Sequence, residues 1–267
     1  MRLAIIGAGN MATALAEGIL KKRVLNPADI NISDPDKAKS ERMKEKGVNV
    51  FSDNIQAVKN ADVILLAVKP NIYPVVIKEI AETEDVKNAV IVTIAPGISI
   101  SSVKQQLGFD AKVIRTMPNT PAMAGEGMTA MCFEEPVTDE DLRKVKSLFD
   151  TVGKCEIMSE KLVDISVSVS GSSPAYVYML IEAMADAAVH DGMPRGMAYT
   201  MAAQSVLGAA KMVLETGKHP GELKDMVCSP GGTTIGAVRV LEEQGFRSSV
   251  IDAMIECNRI AAEMGKK

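Results

Sequence analysis

The sequence predicts an α/β N-terminal domain of the Rossmann type, with a doubly wound sheet, followed by an all-α C-terminal domain. Up to about residue 158, short apolar runs alternate with amphipathic helical segments, as in a mostly parallel sheet covered by helices. Beyond residue 160 the β-branched runs stop and long segments rich in Ala, Met and Leu follow. We therefore expect one domain at residues 1–159 and a second at residues 160–267.

Apolar runs in the first domain have the length and composition of β-strands. In chain order they are LAIIG, INIS, VNVF, DVILLAV, AVIVTI, KVIRT, MTAMCF and KCEIM. Amphipathic helices are predicted between them, most clearly at residues 36–46 and 139–151. In the second domain we predict helices at residues 175–191, 194–216, 234–244 and 247–264, with breaks at the Gly- and Pro-containing stretches GMP and GKHP.

Composition excludes several classes of function. A net charge of −4 over 267 residues argues against a nucleic-acid partner. The 4 cysteines have no C-x-x-C spacing and there are only 2 histidines, so we expect no metal site and reduced thiols in the cytoplasm. Polar residues and glycines interrupt the first apolar run, so we do not expect it to be a signal peptide. No apolar run is long enough to span a membrane.

The stretch IIGAGNMATALAEGIL follows the first predicted strand and opens a helix. Its Gly7, Gly9 and Ala12 form a G-x-G-x-x-A pattern. In that context Gly7 allows a tight turn, Gly9 lets a pyrophosphate approach the backbone, and Ala12 lets the helix pack closely on the sheet. The pattern predicts a dinucleotide site, the alternative being glycines that only turn the chain.

Asp34 follows the second predicted strand, where a Rossmann acid binds the ribose hydroxyls of NAD. Lys37 and Lys39 lie nearby and would suit the 2′-phosphate of NADP instead. The alternative is that Asp34 only caps the helix after Pro35. Both NADH and NADPH stay open, and we favour NADH.

Two later turns, AVKPN at residues 67–71 and IAPGIS at residues 94–99, follow predicted strands. In doubly wound sheets the ligand lies beyond the carboxyl ends of the strands. We therefore expect both turns to line the cofactor, the alternative being that their Pro and Gly residues only shape loops.

Taken together, these motifs resemble the pyrroline-5-carboxylate reductase family. The matching stretches run in order along nearly the whole chain: IIGAGNMATALAEG, LLAVKP, IRTMPNTPAMAGEGMTA, SGSSPAYVYMLIEAMADAAVHDGMPRGMA, and the segment from LGAAKMVLETGKHPGELKD to SPGGTTIGAVRVLEEQGFRSSVIDA. SPGGTTI after HPGELKD is the specific part, because many dehydrogenases share the glycine loop. The chain departs from the family pattern at Ser173, where a glycine is usual, and at Pro96, where alanine is usual.

The resemblance implies reduction of 1-pyrroline-5-carboxylate to L-proline by NADH or NADPH, the last step of proline biosynthesis. It also implies a helical domain that intertwines with its partner in a homodimer, which in some members assembles further into a decamer. The active site would then lie between the Rossmann domain of one subunit and the helical domain of the dimer. Two alternatives are a non-catalytic NAD(P) sensor and a 3-hydroxyacid dehydrogenase. The 3-hydroxyacid dehydrogenases have a catalytic lysine in a G-x-x-x-N-x-x-K helix. This sequence lacks that lysine, since none follows Gly171 until Lys211.

Within the resemblance, CSPGGTTIGAV is the substrate site. Its predicted substrate-binding residues are Ser229, Gly231, Gly232, Thr233 and Thr234. Backbone N–H groups at the helix start would bind the substrate carboxylate. Thr234 is the predicted catalytic residue, whose hydroxyl orients the ring nitrogen. The alternative is a helix N-cap at Ser229 or Thr233, with Pro230 as the first helical residue.

The predicted cofactor site combines the glycine loop, the end of the second strand and the two later turns. Its residues are Ile6, Gly7, Ala8, Gly9, Asn10, Met11, Ser33, Asp34, Asn54, Ala67, Val68, Lys69, Pro70, Ala95, Pro96, Gly97, Asn119 and Glu160. Asn119 is alternatively a turn residue between two prolines. Glu160 resembles a family position near the cofactor, and is alternatively an acid at a helix start.

Overall fold

The computed structural model describes residues 1–264 and divides them into two compact units. The first comprises Met1–Ser172 together with the C-terminal segment that starts at Cys257, and the second is Ser173–Glu256. This division differs from the boundary predicted at residue 159, because the helix Glu160–Ser166 packs against the sheet, where its Val163 is fully buried. The predicted second domain extends to residues 265–267, which lie outside the described part of the chain.

Eight strands form a single sheet, and all eight runs predicted as strands are confirmed. They are β1 Leu3–Ile6, β2 Ile30–Ser33, β3 Asn49–Phe51, β4 Val63–Leu66, β5 Val90–Thr93, β6 Lys112–Met117, β7 Gly127–Phe133 and β8 Gly153–Ile157. Their spatial order is β3-β2-β1-β4-β5-β6-β7-β8. Neighbouring strands are parallel except for β6 and β7, which are antiparallel.

The central strands are buried on both faces, which explains why they are continuous apolar runs rather than alternating ones. Successive side chains point to opposite faces of a strand. Leu3 and Ile5 therefore enter the hydrophobic core on one face, and Ala4 and Ile6 enter the core on the other. The sheet is a rigid support for the loops at its carboxyl ends.

Helices of the first unit cover the two faces of the sheet. They are α1 Asn10–Lys22, α2 Lys37–Lys44, α3 Asn54–Val58, α4 Tyr73–Ile80, α5 Glu84–Asn88, α6 Ile100–Leu107, α7 Asp139–Phe149 and α8 Glu160–Ser166. Helix α1 packs so closely that a Cβ on Gly18 would lie 2.3 Å from Cγ1 of Val152. A π-helical turn at Val167–Gly171 follows α8.

The remaining helices are α9 Ser173–His190, α10 Arg195–Thr216, α11 Pro220–Val227, α12 Thr233–Glu243 and α13 Phe246–Met264, the last of which passes into the first unit at Cys257. The four long predicted helices are confirmed with small shifts at their ends. The break predicted at GKHP is present between α10 and α11, but the sequence analysis missed the short helix α11 that follows it. Nδ1 of His219 accepts a hydrogen bond from the N–H of Gly221 at 3.1 Å at the start of this helix.

The second unit buries few apolar side chains by itself. Its buried hydrophobic residues are Ala185, Ala198 and Ala202, whereas Met179 is 68% exposed and Leu214 is 74% exposed. An apolar surface of this extent typically marks an interaction site. None of the helices within residues 1–264 combines the length and hydropathy needed to cross a bilayer.

Candidate functional site

The loops that follow β1 and β4 touch at the carboxyl edge of the sheet. Gly7 has φ 100°, and a Cβ on it would lie 2.8 Å from the carbonyl oxygen of Ala67 and 3.1 Å from Cγ1 of Val68. The N–H of Gly7 donates to the carbonyl of Ser33 at 2.7 Å, and that of Ala67 donates to the carbonyl of Ile6 at 2.8 Å. The ends of three strands are therefore fixed to one another at the switch point where doubly wound sheets bind ligands.

The N-terminus of α1 is open for an anion. Its N-cap is Gly9, which brings no side-chain hydrogen bond, and a Cβ on Gly9 would have no neighbour within 4 Å. Ala12 is 1% exposed, so the helix packs closely on the sheet as predicted. A cavity of about 220 Å³ beside this turn is lined by Ala8, Gly9, Asn10, Thr13, Lys39 and Arg42, among others. Unpaired N–H groups and the helix dipole make such a turn a phosphate site.

Asp34 bridges the second strand and the glycine loop. Its Oδ2 accepts a hydrogen bond from the N–H of Ala8 at 2.7 Å, and its Oδ1 accepts one from the N–H of Asp36 at 2.8 Å. The alternative role of Asp34 as a helix cap is wrong, because Asp36 is the N-cap of α2 and accepts from the N–H of Ala38. The carboxylate of Asp34 thus lies directly against the predicted cofactor loop.

Ser33 and Asn54, both predicted cofactor residues, are joined to each other. The Ser33 hydroxyl donates to Oδ1 of Asn54 at 2.6 Å, and Nδ2 of Asn54 donates to Glu79 at 2.7 Å. Ser33 is 1% exposed, whereas Asn54 is half-buried. Asn54 is therefore more accessible to a ligand than Ser33. Met11 packs against the hydrophobic core of the same domain.

The two later turns also lie at this edge. Lys69 and Pro70 begin a 3-10 turn after β4, and the buried Tyr73 donates from its hydroxyl to the carbonyl of Leu66 at 2.7 Å. Burial raises the pKa of Tyr73 to about 12, so it remains a neutral support. After β5, Ala95 is buried and Gly97 has φ 75°. A cavity of about 680 Å³ in the first unit is lined by Pro96, Gly97, Ser99, Arg115, Met117 and Gly171, among others.

Arg115 is a residue of this region that the sequence analysis missed. It is 3% exposed on β6, and its Nη1 donates to Oε1 of Glu160 at 3.1 Å while its Nη2 donates to Oδ1 of Asp164 at 2.5 Å. The same Oε1 of Glu160 accepts the N–H of Ile100 at 2.9 Å. An arginine within an apolar strand was the available signal, since a buried guanidinium requires partners.

Asn119 makes hydrogen bonds within the protein at both ends of its amide. Its Nδ2 donates to the carbonyl of Ser170 in the π-helical turn at 2.9 Å, and its Oδ1 accepts from the N–H of Met128 in β7 at 2.9 Å. The residue is 8% exposed. These bonds give it a structural role at the start of β7, and its contact with a cofactor stays a prediction.

The predicted substrate residues lie at the start of α12 in the second unit, where Thr233 and Thr234 are the first two helical residues. Gly231 has φ 68°, and the N–H of Gly232 donates to the carbonyl of Ser229 at 3.0 Å. A Cβ on Gly232 would lie 2.4 Å from Oγ of Ser229, so a larger residue there would require the Ser229 side chain to move. Gly232 is itself the N-cap, without a side-chain hydrogen bond, so the alternative caps at Ser229 and Thr233 are wrong. Thr233 is exposed and Thr234 is half-buried at this open helix start.

The two buried cysteines of the first unit are unsuited to nucleophilic chemistry. Cys132 and Cys155 are free and buried, and burial raises the pKa of each thiol to about 12, so both are protonated near neutral pH. Within residues 1–264, no three side chains of His, Cys, Asp or Glu come together as a potential metal site.

The chain is similar to known proteins over its whole length. Residues 160–264 match the family described as pyrroline-5-carboxylate reductase dimerisation, and residues 2–97 match that described as NADP oxidoreductase coenzyme F420-dependent. The chain is 47% identical to the pyrroline-5-carboxylate reductase of Escherichia coli strain K12, over 99% of this chain and 98% of that protein.

Two solved structures have the same fold. A pyrroline-5-carboxylate reductase from Coxiella burnetii matches with a TM-score of 0.92 and 32% identity, over 98% of this chain and 97% of that one. A pyrroline carboxylate reductase from Plasmodium falciparum, solved with NADP bound, matches with a TM-score of 0.89 and 30% identity, over 99% and 98% of the two chains.

We expect Asn119→Ala to lower the free energy of unfolding by about 2 kcal/mol, because it leaves the N–H of Met128 and the carbonyl of Ser170 without their partner. Urea denaturation measures the change. The matched control is Asn88→Ala, which removes one exposed side-chain hydrogen bond to the carbonyl of Glu84 and should cost no more than about 0.5 kcal/mol. Equal losses in the two variants would contradict the structural role of Asn119.

Proposed function

The chain belongs to the pyrroline-5-carboxylate reductase family. We propose that the open start of α1 binds the dinucleotide of this reaction and that the open start of α12 binds the substrate. The protein is an oxidoreductase that acts on a CH–NH group and reduces 1-pyrroline-5-carboxylate to L-proline with NAD(P)H. This membership decides against a 3-hydroxyacid dehydrogenase and a non-catalytic sensor. The observation that carries the division of roles is that Gly9 and Gly232 each cap a helix without a side chain.

The first helix start fits a dinucleotide. Gly9 leaves open space beside the N–H groups of α1, where a pyrophosphate accepts hydrogen bonds and meets the positive end of the helix dipole. Asp34, fixed by the N–H of Ala8, is placed to accept hydrogen bonds from the adenosine ribose. When bound, the reduced dinucleotide supplies a hydride to the C=N carbon. Pro96 and Gly97 line the larger cavity, which we assign to its nicotinamide end.

The second helix start fits the substrate carboxylate. The first N–H groups of α12 have no intrahelical partner, and Gly232 brings no side chain to cap them. They hold the carboxylate, and the glycine at position 231 allows the backbone to approach it closely. The N–H of the protonated ring nitrogen donates a hydrogen bond to the Thr234 hydroxyl oxygen, which orients the iminium. Because a hydroxyl is a weak acid, the nitrogen enters already protonated and Thr234 transfers no proton.

We favour NADH over NADPH. The carboxylate of Asp34 is half-buried against the glycine loop, and its negative charge opposes a 2′-phosphate. Lys39 would favour the phosphate, but it lies 3.5 Å from Asp36 in an ion pair that offsets part of its charge. Arg42 is likewise paired, with Glu17 at 3.5 Å, so Lys37 keeps the clearest attraction for NADPH and the preference is one of degree.

The chain assembles through its helical unit, since residues 160–264 match a dimerisation family. We propose a homodimer as the basic assembly, with a decamer as a further possibility, because the uncovered apolar side chains of α9 and α10 need a partner surface. We also propose that the protein works in the cytoplasm, where its 4 free cysteines would stay reduced.

We expect Thr234→Ala to reduce kcat/KM for pyrroline-5-carboxylate roughly tenfold to a hundredfold, since a lost positioning hydrogen bond costs about 1–3 kcal/mol. Affinity for NADH, measured by calorimetry, should stay unchanged, because the helix starts at Gly9 and Gly232 serve different ligands. Thr233→Ala is the matched control: it keeps its backbone N–H and should lose much less turnover. Full activity of Thr234→Ala, or a parallel loss of NADH affinity, would refute this assignment.

We expect Asp34→Ser to raise the ratio of kcat/KM for NADPH to that for NADH roughly tenfold, because a removed unit charge at a partly exposed site is worth about 1–2 kcal/mol. Steady-state kinetics with both cofactors give the ratio. Asp29→Ser is the control, since it makes the same change of charge but lies before β2, at the end of the strand opposite to Asp34. If both variants shift the ratio equally, Asp34 does not contact the ribose.

We expect sedimentation equilibrium to show a dimer or a larger assembly, and Leu207→Lys in α10 to shift it toward monomer with loss of activity. Leu207 is 53% exposed within the chain. Val75→Lys is the control, because Val75 is 67% exposed but lies on α4 of the first unit. A stable and active wild-type monomer at working concentration would contradict an obligate dimer.

A further inference from the structure

We propose that Glu160 is a positioning residue of the cofactor site, which fixes the loop at residues 94–99 through the first amide of α6. The inference rests on the proposed function, in which Pro96 and Gly97 of this loop lie at the nicotinamide end of the cofactor. The structure shows a contact of Glu160 with the protein backbone, and its direct contact with the cofactor stays a prediction.

The contact that carries the proposal is at the C-terminal end of the loop. Oε1 of Glu160 accepts the N–H of Ile100 at 2.9 Å, and Ile100 is the first residue of α6 and fully buried. That N–H has no partner within its own helix. A carboxylate at a helix start is also stabilised by the helix dipole. Ser99 caps a further amide, that of Ser102, at 3.1 Å, so the loop ends in a turn held from two sides.

Arg115 holds the carboxylate in place. Its Nη1 donates to the same Oε1 of Glu160 at 3.1 Å, and the guanidinium is nearly inaccessible to solvent. Arg115 also pairs in register with Thr93, the last residue of β5, from which the loop starts. The loop is thus tied at its beginning to the strand of Arg115 and at its end to the carboxylate that Arg115 binds. The Arg115 side chain is 4% exposed and that of Glu160 is 27% exposed, so removing Glu160 would leave a nearly buried guanidinium with Asp164 as its remaining carboxylate partner.

Asp164 provides an internal comparison. It binds the other terminal nitrogen of Arg115 from the next turn of α8, at 2.5 Å, but its side chain is 61% exposed. Its recorded hydrogen bond goes to Arg115 and not to the loop. Removing Asp164 therefore perturbs the charge of the cluster while the contact between Glu160 and Ile100 remains.

The experiment compares Glu160→Ala, Glu160→Gln and Asp164→Ala in the full-length, assembled protein. Calorimetry measures the affinities for NADH and for ADP-ribose, which lacks the nicotinamide, and steady-state kinetics give KM and kcat. For Glu160→Ala we expect NADH affinity to fall roughly tenfold, the loss typical of one hydrogen bond to a charged group, with ADP-ribose affinity unchanged within about twofold. KM for NADH should rise more than kcat falls.

Glu160→Gln keeps an acceptor for the N–H of Ile100 and should recover most of the NADH affinity. Asp164 also lines the cavity of Pro96 and Gly97, but Asp164→Ala keeps the contact between Glu160 and Ile100 and should therefore lose less NADH affinity than Glu160→Ala. If Glu160→Ala does not fold, Glu160→Asp replaces it, since the shorter carboxylate cannot reach both Arg115 and Ile100 and should show the same selective loss for NADH.

Three results would overturn the proposal: an equal loss of NADH and ADP-ribose affinity in the Glu160 variants, the same loss in Asp164→Ala, or no change in any variant. The first two would make the cluster a general support of the domain. Failure of the proposed function is distinguishable, because it would appear as wild-type protein that binds NADH without reducing pyrroline-5-carboxylate, whereas the binding comparison needs no turnover.

Discussion

The close approach of the backbone at Gly7 to the carbonyl of Ala67 is the constraint on which the cofactor site depends. A single added carbon at Gly7 would lie 2.8 Å from that oxygen. Because β1 and β4 are neighbours in the sheet, the loops that leave them diverge from one point and open the crevice there. The tight turn at Gly7 also directs α1 so that its first N–H groups face the crevice. The crevice therefore depends jointly on the strand order, on Gly7 and on the position of the first turn of α1.

Around this crevice, polar side chains are fixed by the protein before any ligand binds. Asp34 is bound by the N–H of Ala8, Asn119 by β7 and the π-helical turn, and Glu160 by α6. Buried polar groups need such partners, since a missing hydrogen bond costs as much as many packing contacts. The consequence for function is a preorganised site in which loops keep their shape and little ordering is left for the ligand to impose.

The substrate side has a different basis. In SPGGTT, Gly232 is the N-cap of α12 and brings no side-chain hydrogen bond. In the substrate site that we propose, anion binding would rest on backbone N–H groups, which have no pKa in the working range. The helical unit that carries this turn leaves its larger apolar side chains exposed, so its stability and the assembly of the protein are coupled.

The sequence by itself determined the eight strands, the long helices and the glycine loop. These features depend on hydrophobic periodicity, on β-branched residues and on glycine spacing, which are all properties of a short stretch of chain. It also located the SPGGTT turn, although not its cap. Only the tertiary structure decided that Asp34 binds Ala8, that Arg115 joins Glu160 and that α8 packs on the sheet. Arg115 and Glu160 are 45 residues apart in the chain, and local periodicity contains no information on such a pair. The pairing exists because the fold buries the guanidinium of Arg115, which then needs a carboxylate partner. Helix α8 supplies that carboxylate only once it has packed on the sheet.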